Sequence, residues 1–245
     1  NLNWQRALYP PLAAQVNPTA TIEDAIYSVV ELSYGAQQGH GHVALTLAEV
    51  TLAQITAPNF TDYESCTATI SYGRLNPAFP LAGSTYGQYG NNYPLVGGQM
   101  ARIPAFIYSA DLLPAFTSTA QGPRVTPATN LTLDGMSASG ALSLSTLTPT
   151  VAWTAPANAR SYDVVVYRLL AAPDANGNTF AAAARIFTSA TSVTLPQGVM
   201  AAGTRYVIRV RTLSEPTGDA VNAPFRRGSW PFGFADALTG TIIQP

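Results

Sequence analysis

Two histidines, His40 and His42, stand in the short sequence GHGH at residues 39–42. In an extended strand, residues two apart face the same way, so the two imidazoles could share a metal ion. No third ligand lies nearby in the sequence. Glu31 and Asp62 could reach the histidines only if the folded chain brings them there. The flanking glycines favour a turn. We therefore name His40 and His42 as the candidate metal residues and expect no cofactor.

The sequence DANGN at residues 174–178 also allows two interpretations, a metal site or a turn. Its side-chain oxygens stand at the first, third and fifth positions, as they do in a calcium-binding loop. The twelfth position, where such a loop has a glutamate, is Arg185. We therefore favour a β-hairpin that turns at Asn176–Gly177.

The sequence lacks the motifs of common catalytic sites. It has no GxSxG, no HExxH and no GxxxxGK[ST]. Its thirteen acidic residues are spread along the chain, and no pair of them suits glycoside hydrolysis. The single cysteine, Cys66, lies in a strand-like sequence, where we expect a small buried side chain and not a nucleophile. We predict that the chain is not an enzyme.

Aromatic residues interleave with small polar ones in two stretches. The sequence STYGQYGNNY lies within residues 73–98, which we predict to be a long irregular loop, and GSWPFGF includes Phe234. Rings in such surroundings are typical of recognition surfaces, where sugars or proteins can stack on them. Alternatively, the rings fold back over sheet edges or over a seam between domains. The candidate ligand-binding residues are Tyr86, Tyr89, Tyr93, Trp230 and Phe232.

Composition limits the class of protein. Hydrophobic residues make up 47% of the 245 residues, so cores can form, whereas charged residues make up only 10%, against a usual share of about 25%. A net charge of −1 provides no basic field for nucleic acid. No apolar run reaches the ~18 residues of a membrane-spanning helix. We therefore expect neither nucleic acid nor a membrane span.

The kinds of polar residue point to origin and location. All twelve basic residues are arginine, which, with the abundant alanine, suggests a GC-rich coding sequence and hence a bacterium. Low charge with much Thr, Ser, Gly and Pro is common in extracellular proteins. The chain begins NLNWQ, without methionine, which suggests a processed or excised piece. We expect a secreted or cell-surface protein.

Alternation of apolar and polar residues predicts strands along most of the chain. Residues 1–20 contain three prolines and predict a lead-in segment anchored by Trp4, Leu8 and Tyr9. Residues 21–122 predict a first β-sandwich-like domain, although a helix is an alternative for 42–55. A Pro- and Thr-rich connection places the domain boundary near Gly122, and residues 123–245 form the second domain.

The second domain resembles a fibronectin type III domain in four sequences that occur in the family's order. They are PRVTP, TPTVAWTAP with Trp153, ARSYDVVVYRL with Tyr162, and SVTLPQGVMAAGTRYVIRVRTL with Tyr206. The resemblance implies that Trp153 and Tyr162 lie in the core. It also implies that Tyr206 forms a tyrosine corner, with its hydroxyl bonded to backbone a few residues upstream.

Two departures from the family pattern accompany this resemblance. The first hairpin, SASGALSLSTLTP, is longer than usual, and residues 216–240 look like a large insertion before the last strand.

In the strand that follows Gly203, the alternation places Ile208 and Val210 in the core. It places Arg205, Arg209 and Arg211 on the solvent face, where their stems can cover apolar surface.

These observations predict an all-β protein of two tandem β-sandwich domains of immunoglobulin or fibronectin III type. We expect a non-enzymatic extracellular structural, adhesive or assembly protein. Its partners would be other protein subunits or a surface polysaccharide. The alternative is a carbohydrate-binding or spacer portion of a secreted hydrolase.

Overall fold

The computed structural model describes residues 2–32, 49–56, 66–68, 81–214 and 230–244, and these residues form mostly β-strands. The strands are β1 Leu2–Trp4, β2 Thr21–Leu32, β3 Glu49–Thr56, β4 Cys66–Ala68, β5 Leu81–Pro94, β6 Met100–Leu112, β7 Thr129–Leu133, β8 Met136–Ser137, β9 Leu142–Ser143, β10 Thr150–Thr154, β11 Ser161–Leu169, β12 Phe180–Thr188, β13 Ser192–Thr194, β14 Arg205–Ser214, β15 Phe232–Leu238 and β16 Ile242–Ile243. Short helical segments span Arg6–Leu8, Pro10–Leu12, Ala13–Val16 and Leu113–Ser118. The protein is all-β, as predicted.

One ten-stranded sheet runs through both halves of the chain. Its main order is β12-β11-β14-β15-β6-β5-β2-β3, and the short strands β16 and β9 attach beside β14. Strands β15 and β6 form the seam between the halves, with Phe232 opposite Ala110 and Ala235 opposite Ile107. The sheet therefore continues across the predicted boundary near Gly122. A separate second sandwich in residues 21–122 stays a prediction.

The sandwich core of the second half lies between this sheet and a smaller one. The smaller sheet has the order β13-β10-β7-β8. Trp153 packs edge-on against Tyr162 at 4.9 Å between ring centroids, and Tyr206 is buried in the same cluster. Each of these large rings removes much apolar surface from water when it enters the core. This burial explains why apolar residues stand at alternate positions in β10, β11 and β14.

A second core joins the lead-in segment to the first half. Trp4 and Tyr9, two of the predicted anchors, are fully buried, whereas Leu8 is 52% exposed. The ring of Trp4 packs against Tyr27 at 6.2 Å, and that ring packs against Phe116 of the helical segment Leu113–Ser118 at 5.5 Å. The lead-in and this helix therefore cover one side of the first half.

The prediction of an irregular loop over residues 73–98 is wrong for Leu81–Pro94, which form β5. The glycines in this strand make room for neighbours and do not mark turns. A Cβ on Gly87 would lie 2.8 Å from Cδ1 of Tyr9, and one on Gly83 would meet the ring of Phe116. Strand β5 pairs with β6 from Ala82 to Pro94 without a break.

The prediction of an insertion over residues 216–240 is wrong for Phe232–Leu238, which form β15 at the centre of the sheet. The sequence FGFADAL has little β-propensity, because glycine, alanine and aspartate are depleted in strands. A Cβ on Gly233 would lie 2.9 Å from Cβ of Arg124. Gly233 is therefore required because Arg124 packs closely against the strand at this position.

Candidate functional site

Half-buried aromatic rings are concentrated on one face of the large sheet. Tyr86 of β5 lies directly opposite Tyr108 of β6, and Tyr108 lies opposite Phe234 of β15. Directly paired residues point to the same side of a sheet, and Phe106, two residues from Tyr108, shares that side. We call this side the front face.

The rings of the front face contact one another in pairs. Tyr108 and Phe234 stack, with centroids 5.2 Å apart and planes 16° apart. Tyr86 meets Phe106 edge-on at 6.2 Å. Trp230 and Phe187 pack against a buried pair formed by Leu213 and Phe232. We call the six half-buried rings the aromatic face; they are Tyr86, Phe106, Tyr108, Phe187, Trp230 and Phe234.

A buried ion-pair network lies beside these rings on the same face. Asp236 is fully buried and accepts two hydrogen bonds from Arg211, at 2.7 Å to Oδ1 and 2.9 Å to Oδ2. The backbone N–H of Phe106 donates a third hydrogen bond to Oδ2 at 2.9 Å. This carboxylate therefore links β15, β14 and β6.

A second buried carboxylate, Asp163, continues the network across β11. Arg185 of β12 donates two hydrogen bonds of 2.8 Å to its two oxygens. Arg209 lies between the two acids, with Nη2 3.5 Å from Asp163 and Nε 3.7 Å from Asp236. Two buried acids thus share three guanidinium groups, which satisfies most of their hydrogen-bonding capacity.

The network fixes the charge state of Asp236. Burial acts to raise the pKa of Asp236, but the charges of Arg211 and Arg209, with the hydrogen bonds from Arg211 and Phe106, hold that pKa below its ordinary value. The carboxylate is therefore ionised at neutral pH. All three guanidinium groups also lie over rings: Cζ of Arg211 is 3.9 Å from the centroid of Phe234, Cζ of Arg185 is 4.8 Å from that of Phe187, and Cζ of Arg209 is 5.6 Å from that of Tyr167.

The network corrects the prediction that Arg209 and Arg211 occupy a solvent face. Their side chains are only 13% and 14% exposed. The alternation placed them correctly on the side opposite the core. That side is covered in part, however, because the buried acids draw the guanidinium groups down onto the sheet.

Two of the predicted ligand-binding residues cannot contact a ligand, because they are buried. Tyr89 is fully buried and donates a hydrogen bond to the backbone oxygen of Tyr9 at 2.7 Å. Tyr93 is 2% exposed and donates to the backbone oxygen of Thr239 at 2.8 Å. Burial raises the pKa of the Tyr93 phenol well above its ordinary value. These two rings fill a core and are not a recognition surface.

The other three predicted ligand-binding residues converge on the front face. Tyr86 and Trp230 are half-buried members of the aromatic face. Phe232 is 4% exposed and lies 6.0–6.1 Å from the rings of Tyr108 and Phe234. Phe232 therefore supports the aromatic face from below and does not present its ring to solvent.

The predicted metal residues cannot be placed. His40 and His42 lie outside the described residues. Cys66 begins β4, which pairs with β1. Among the described residues no three His, Cys, Asp or Glu side chains come close enough to hold a metal ion. Within those same ranges no helix is long and apolar enough to cross a membrane.

The DANGN sequence forms the turn between β11 and β12. Oδ1 of Asp174 accepts hydrogen bonds from the backbone N–H groups of Asn176 and Asn178, at 2.8 and 2.9 Å. Gly177 has a φ of +80°, which glycine adopts without strain. Hydrogen bonds from Asn178 lower the pKa of Asp174. The oxygens of Asp174 are therefore used within the hairpin.

The residues of the fibronectin resemblance lie in the sandwich core. Trp153 is 6% exposed, Tyr162 3% and Tyr206 1%. The hydroxyl of Tyr206 accepts a hydrogen bond of 2.9 Å from the backbone N–H of Ala201, five residues upstream. This contact has the geometry that a tyrosine corner requires.

Several residues of the front face were missed in the sequence. Phe106 and Tyr108 stand at alternate positions in PAFIYSA, a pattern that predicts rings on one face of a strand. The pairing of Asp236 with Arg211 had no local signal, because the two residues are 25 positions apart and their strands meet only in the fold.

Comparison with known proteins adds no family to this description: no protein-family model matches the chain, and no curated protein matches it in sequence.

Proposed function

We propose that this chain is a non-enzymatic extracellular structural or adhesive protein of bacterial origin, with a fibronectin type III-like second half. The observation that carries the proposal is the single ten-stranded sheet, which joins both halves through the β15–β6 seam. Such a sheet holds the two halves in one fixed arrangement. A fixed arrangement suits a protein that presents surfaces to partners.

The strand order of the second half supports the fibronectin type III assignment. Counted from β7 and leaving out the two-residue strands β8 and β9, the first, second and fifth strands form one layer. The third, fourth, sixth and seventh strands lie in the other layer. Immunoglobulin-like sandwiches divide their strands between two packed sheets in this general way. The Tyr206 hydroxyl bond to Ala201 is a second supporting feature.

The ionisable groups of the large sheet also support a structural role. Asp163, Asp236 and their three arginines bind one another. Their pairing satisfies the buried charges inside the sheet, which stabilises its geometry once the chain is folded. An acid or base in catalysis would instead need an ionisable group with access to a substrate.

The proposal is tested by measuring assembly and adhesion. Light scattering coupled to size exclusion, over a wide range of protein concentrations, reports assembly into larger species. Retention of the labelled protein on bacterial cell-wall and exopolysaccharide preparations reports adhesion. We expect at least one of the two. A strict monomer that no surface retains would contradict the proposal.

A further inference from the structure

Strand β12 lies at one end of the ten-stranded sheet. Its residues Phe180–Thr188 pair with β11 along the whole strand, and within the described ranges they pair with no other strand. The outer edge of a terminal strand presents a row of backbone N–H and C=O groups that a further strand can bind. At this edge, therefore, the sheet can accept a partner.

The sequence of β12 lacks the residues by which edge strands usually avoid pairing. It reads FAAAARIFT and contains no proline, no lysine and one charged residue, Arg185. The guanidinium of Arg185 donates two hydrogen bonds of 2.8 Å to Asp163. Its charge is therefore neutralised on the front face, and a strand that pairs with β12 meets no unpaired charge.

A bulge limits the new pairing to the segment Ala184–Thr188. Ala183 has no partner on β11, and such a bulge bends the strand and interrupts the ladder. Beyond the bulge, side-chain packing holds the strand in place. Ala184 and Ile186 pack against the sandwich core, and Phe187 packs against the buried pair beneath the aromatic face. Because this segment is already ordered, its pairing costs little conformational entropy.

The segment is complementary to itself when two copies run antiparallel. If Ile186 of each copy lies on a two-fold axis, Ile186 is opposite Ile186, Arg185 is opposite Phe187, and Ala184 is opposite Thr188. In its own chain, Cζ of Arg185 already lies 4.8 Å from the centroid of Phe187, so the same two kinds of group meet across the axis. A register with Arg185 on the axis would instead place like charges directly opposite each other, which is destabilising.

We propose that β12 is a dimerisation edge. The segments Ala184–Thr188 of two copies pair antiparallel about a two-fold axis at Ile186 and join the two large sheets into one. This inference rests on the proposed structural function and names a second copy of the chain as its partner. A strand of another protein is the competing occupant. The observations favour a second copy because the segment fits its own reversed sequence in charge, and because two-fold pairing is self-complementary and closed.

Light scattering coupled to size exclusion tests the proposal on the full chain. We expect a species of twice the chain mass that dissociates on dilution, because a few paired residues form a small interface. Phe187→Lys and Phe187→Glu remove the same ring and therefore lose the same packing. Lysine places a like charge opposite Arg185 of the second copy, whereas glutamate places an opposite charge there. Since this pair occurs twice in the dimer, the dissociation constant should be roughly tenfold higher for Phe187→Lys than for Phe187→Glu.

Two controls separate pairing from folding. Ala202→Lys adds the same charge at an exposed alanine in the turn before β14 and should leave the dimer unchanged. Chemical denaturation of each variant, at a concentration where all are monomeric, measures how the new charge beside Arg185 affects the single chain.

Hydrogen exchange supplies an independent measurement at the edge itself. The outward-facing backbone amides of Ala184–Thr188 should exchange quickly in dilute protein and more slowly as the concentration rises. Amides of β14, which pairs on both sides, should exchange at a rate that does not depend on concentration.

Three outcomes would overturn the proposal. The first is a strict monomer at every concentration, which leaves the edge to a strand of another protein. The second is an equal dissociation constant for Phe187→Lys and Phe187→Glu. The third is exchange in Ala184–Thr188 that is independent of concentration, whether fast or slow. If the chain still assembles, or if surfaces still retain it, the proposed function stands and only this edge is wrong.

Discussion

The carboxylate of Asp236 accepts a hydrogen bond from the backbone N–H of Phe106 at 2.9 Å. This contact occurs where β15 and β6 stop pairing, one residue beyond the last pair, Ala235 with Ile107. The Asp236 carboxylate accepts the hydrogen bond that a main-chain carbonyl would accept if the pairing continued. The same carboxylate also accepts a hydrogen bond from Arg211. One residue therefore closes the seam between the halves and organises the buried charges.

Replacing Asp236 should destabilise the protein strongly. Asp236→Asn leaves Arg211 without its acid in a buried site and leaves Arg209 with Asp163 alone, and we expect a loss of about 3–5 kcal/mol in the free energy of unfolding. Urea denaturation measures this change. The control is Glu23→Gln, which removes a more exposed pair with Arg102 and should cost less than about 1 kcal/mol. Equal losses would show that the buried network does not stabilise the seam.

Lowering the pH should reduce the stability of the folded protein through the carboxylate of Asp236. The pKa of Asp236 is lower in the folded protein than its ordinary value, so its contribution to stability is complete above the unfolded pKa of about 3.9. The contribution is lost as the pH falls from that value through the lower, folded pKa. Urea midpoints measured from pH 6 down to pH 2 should decline steeply below about pH 4. Asp236→Asn should decline less, and an equally steep decline would assign the effect to other acids.

The hydroxyl of Tyr206 should have a measurable energetic role. Tyr206→Phe keeps the ring in the core but removes the acceptor for the N–H of Ala201, and we expect a loss of about 1–3 kcal/mol. Tyr167→Phe removes a phenol from the opposite face of the sheet and is the matched control. Chemical denaturation of both variants decides the matter, and a neutral Tyr206→Phe would argue against a structural tyrosine corner.

Two glycines in contact should respond differently to the same substitution. A Cβ on Gly240 would meet the backbone of Gly140, whereas a Cβ on Gly140 would enter open space. Gly240→Ala should lower the unfolding free energy by about 1–3 kcal/mol through overpacking. Gly140→Ala should change it little. Thermal unfolding compares the two, and similar midpoints would show that the backbone at Gly140 can move aside without cost.

The sequence predicted those parts of the fold in which neighbouring residues carry the information. The strict alternation in β11 and β14 indicated which of their residues enter the sandwich core, although residues on the other side are buried as well, and Trp153 and Tyr206 indicated the sandwich. Strands β5 and β15 were missed because their glycines looked like turn residues. Those glycines instead make room for the rings of Phe116 and Tyr9 and for the stem of Arg124, which lie far away in the sequence.

The candidate site was predicted only in part, for the same physical reason. Tyr86 and Trp230 were identified by composition, because rings among small polar residues suggest recognition. Tyr89 shares its stretch with Tyr86 but points to the other side, and only the strand assignment separates the two. The acids of the ion-pair network gave no signal, since Asp163 and Asp236 acquire their partners across strands.

The β15–β6 seam has a consequence for how such a chain can evolve. Backbone amides and carbonyls form the seam, so single substitutions along Phe232–Ala235 can accumulate wherever their volume is tolerated. A deletion or insertion of one residue there would reverse the direction of every following side chain in β15. It would turn the Asp236 carboxylate towards the core and small alanines towards the arginines. In related chains, the length of this strand should therefore persist after its residue identities have drifted apart.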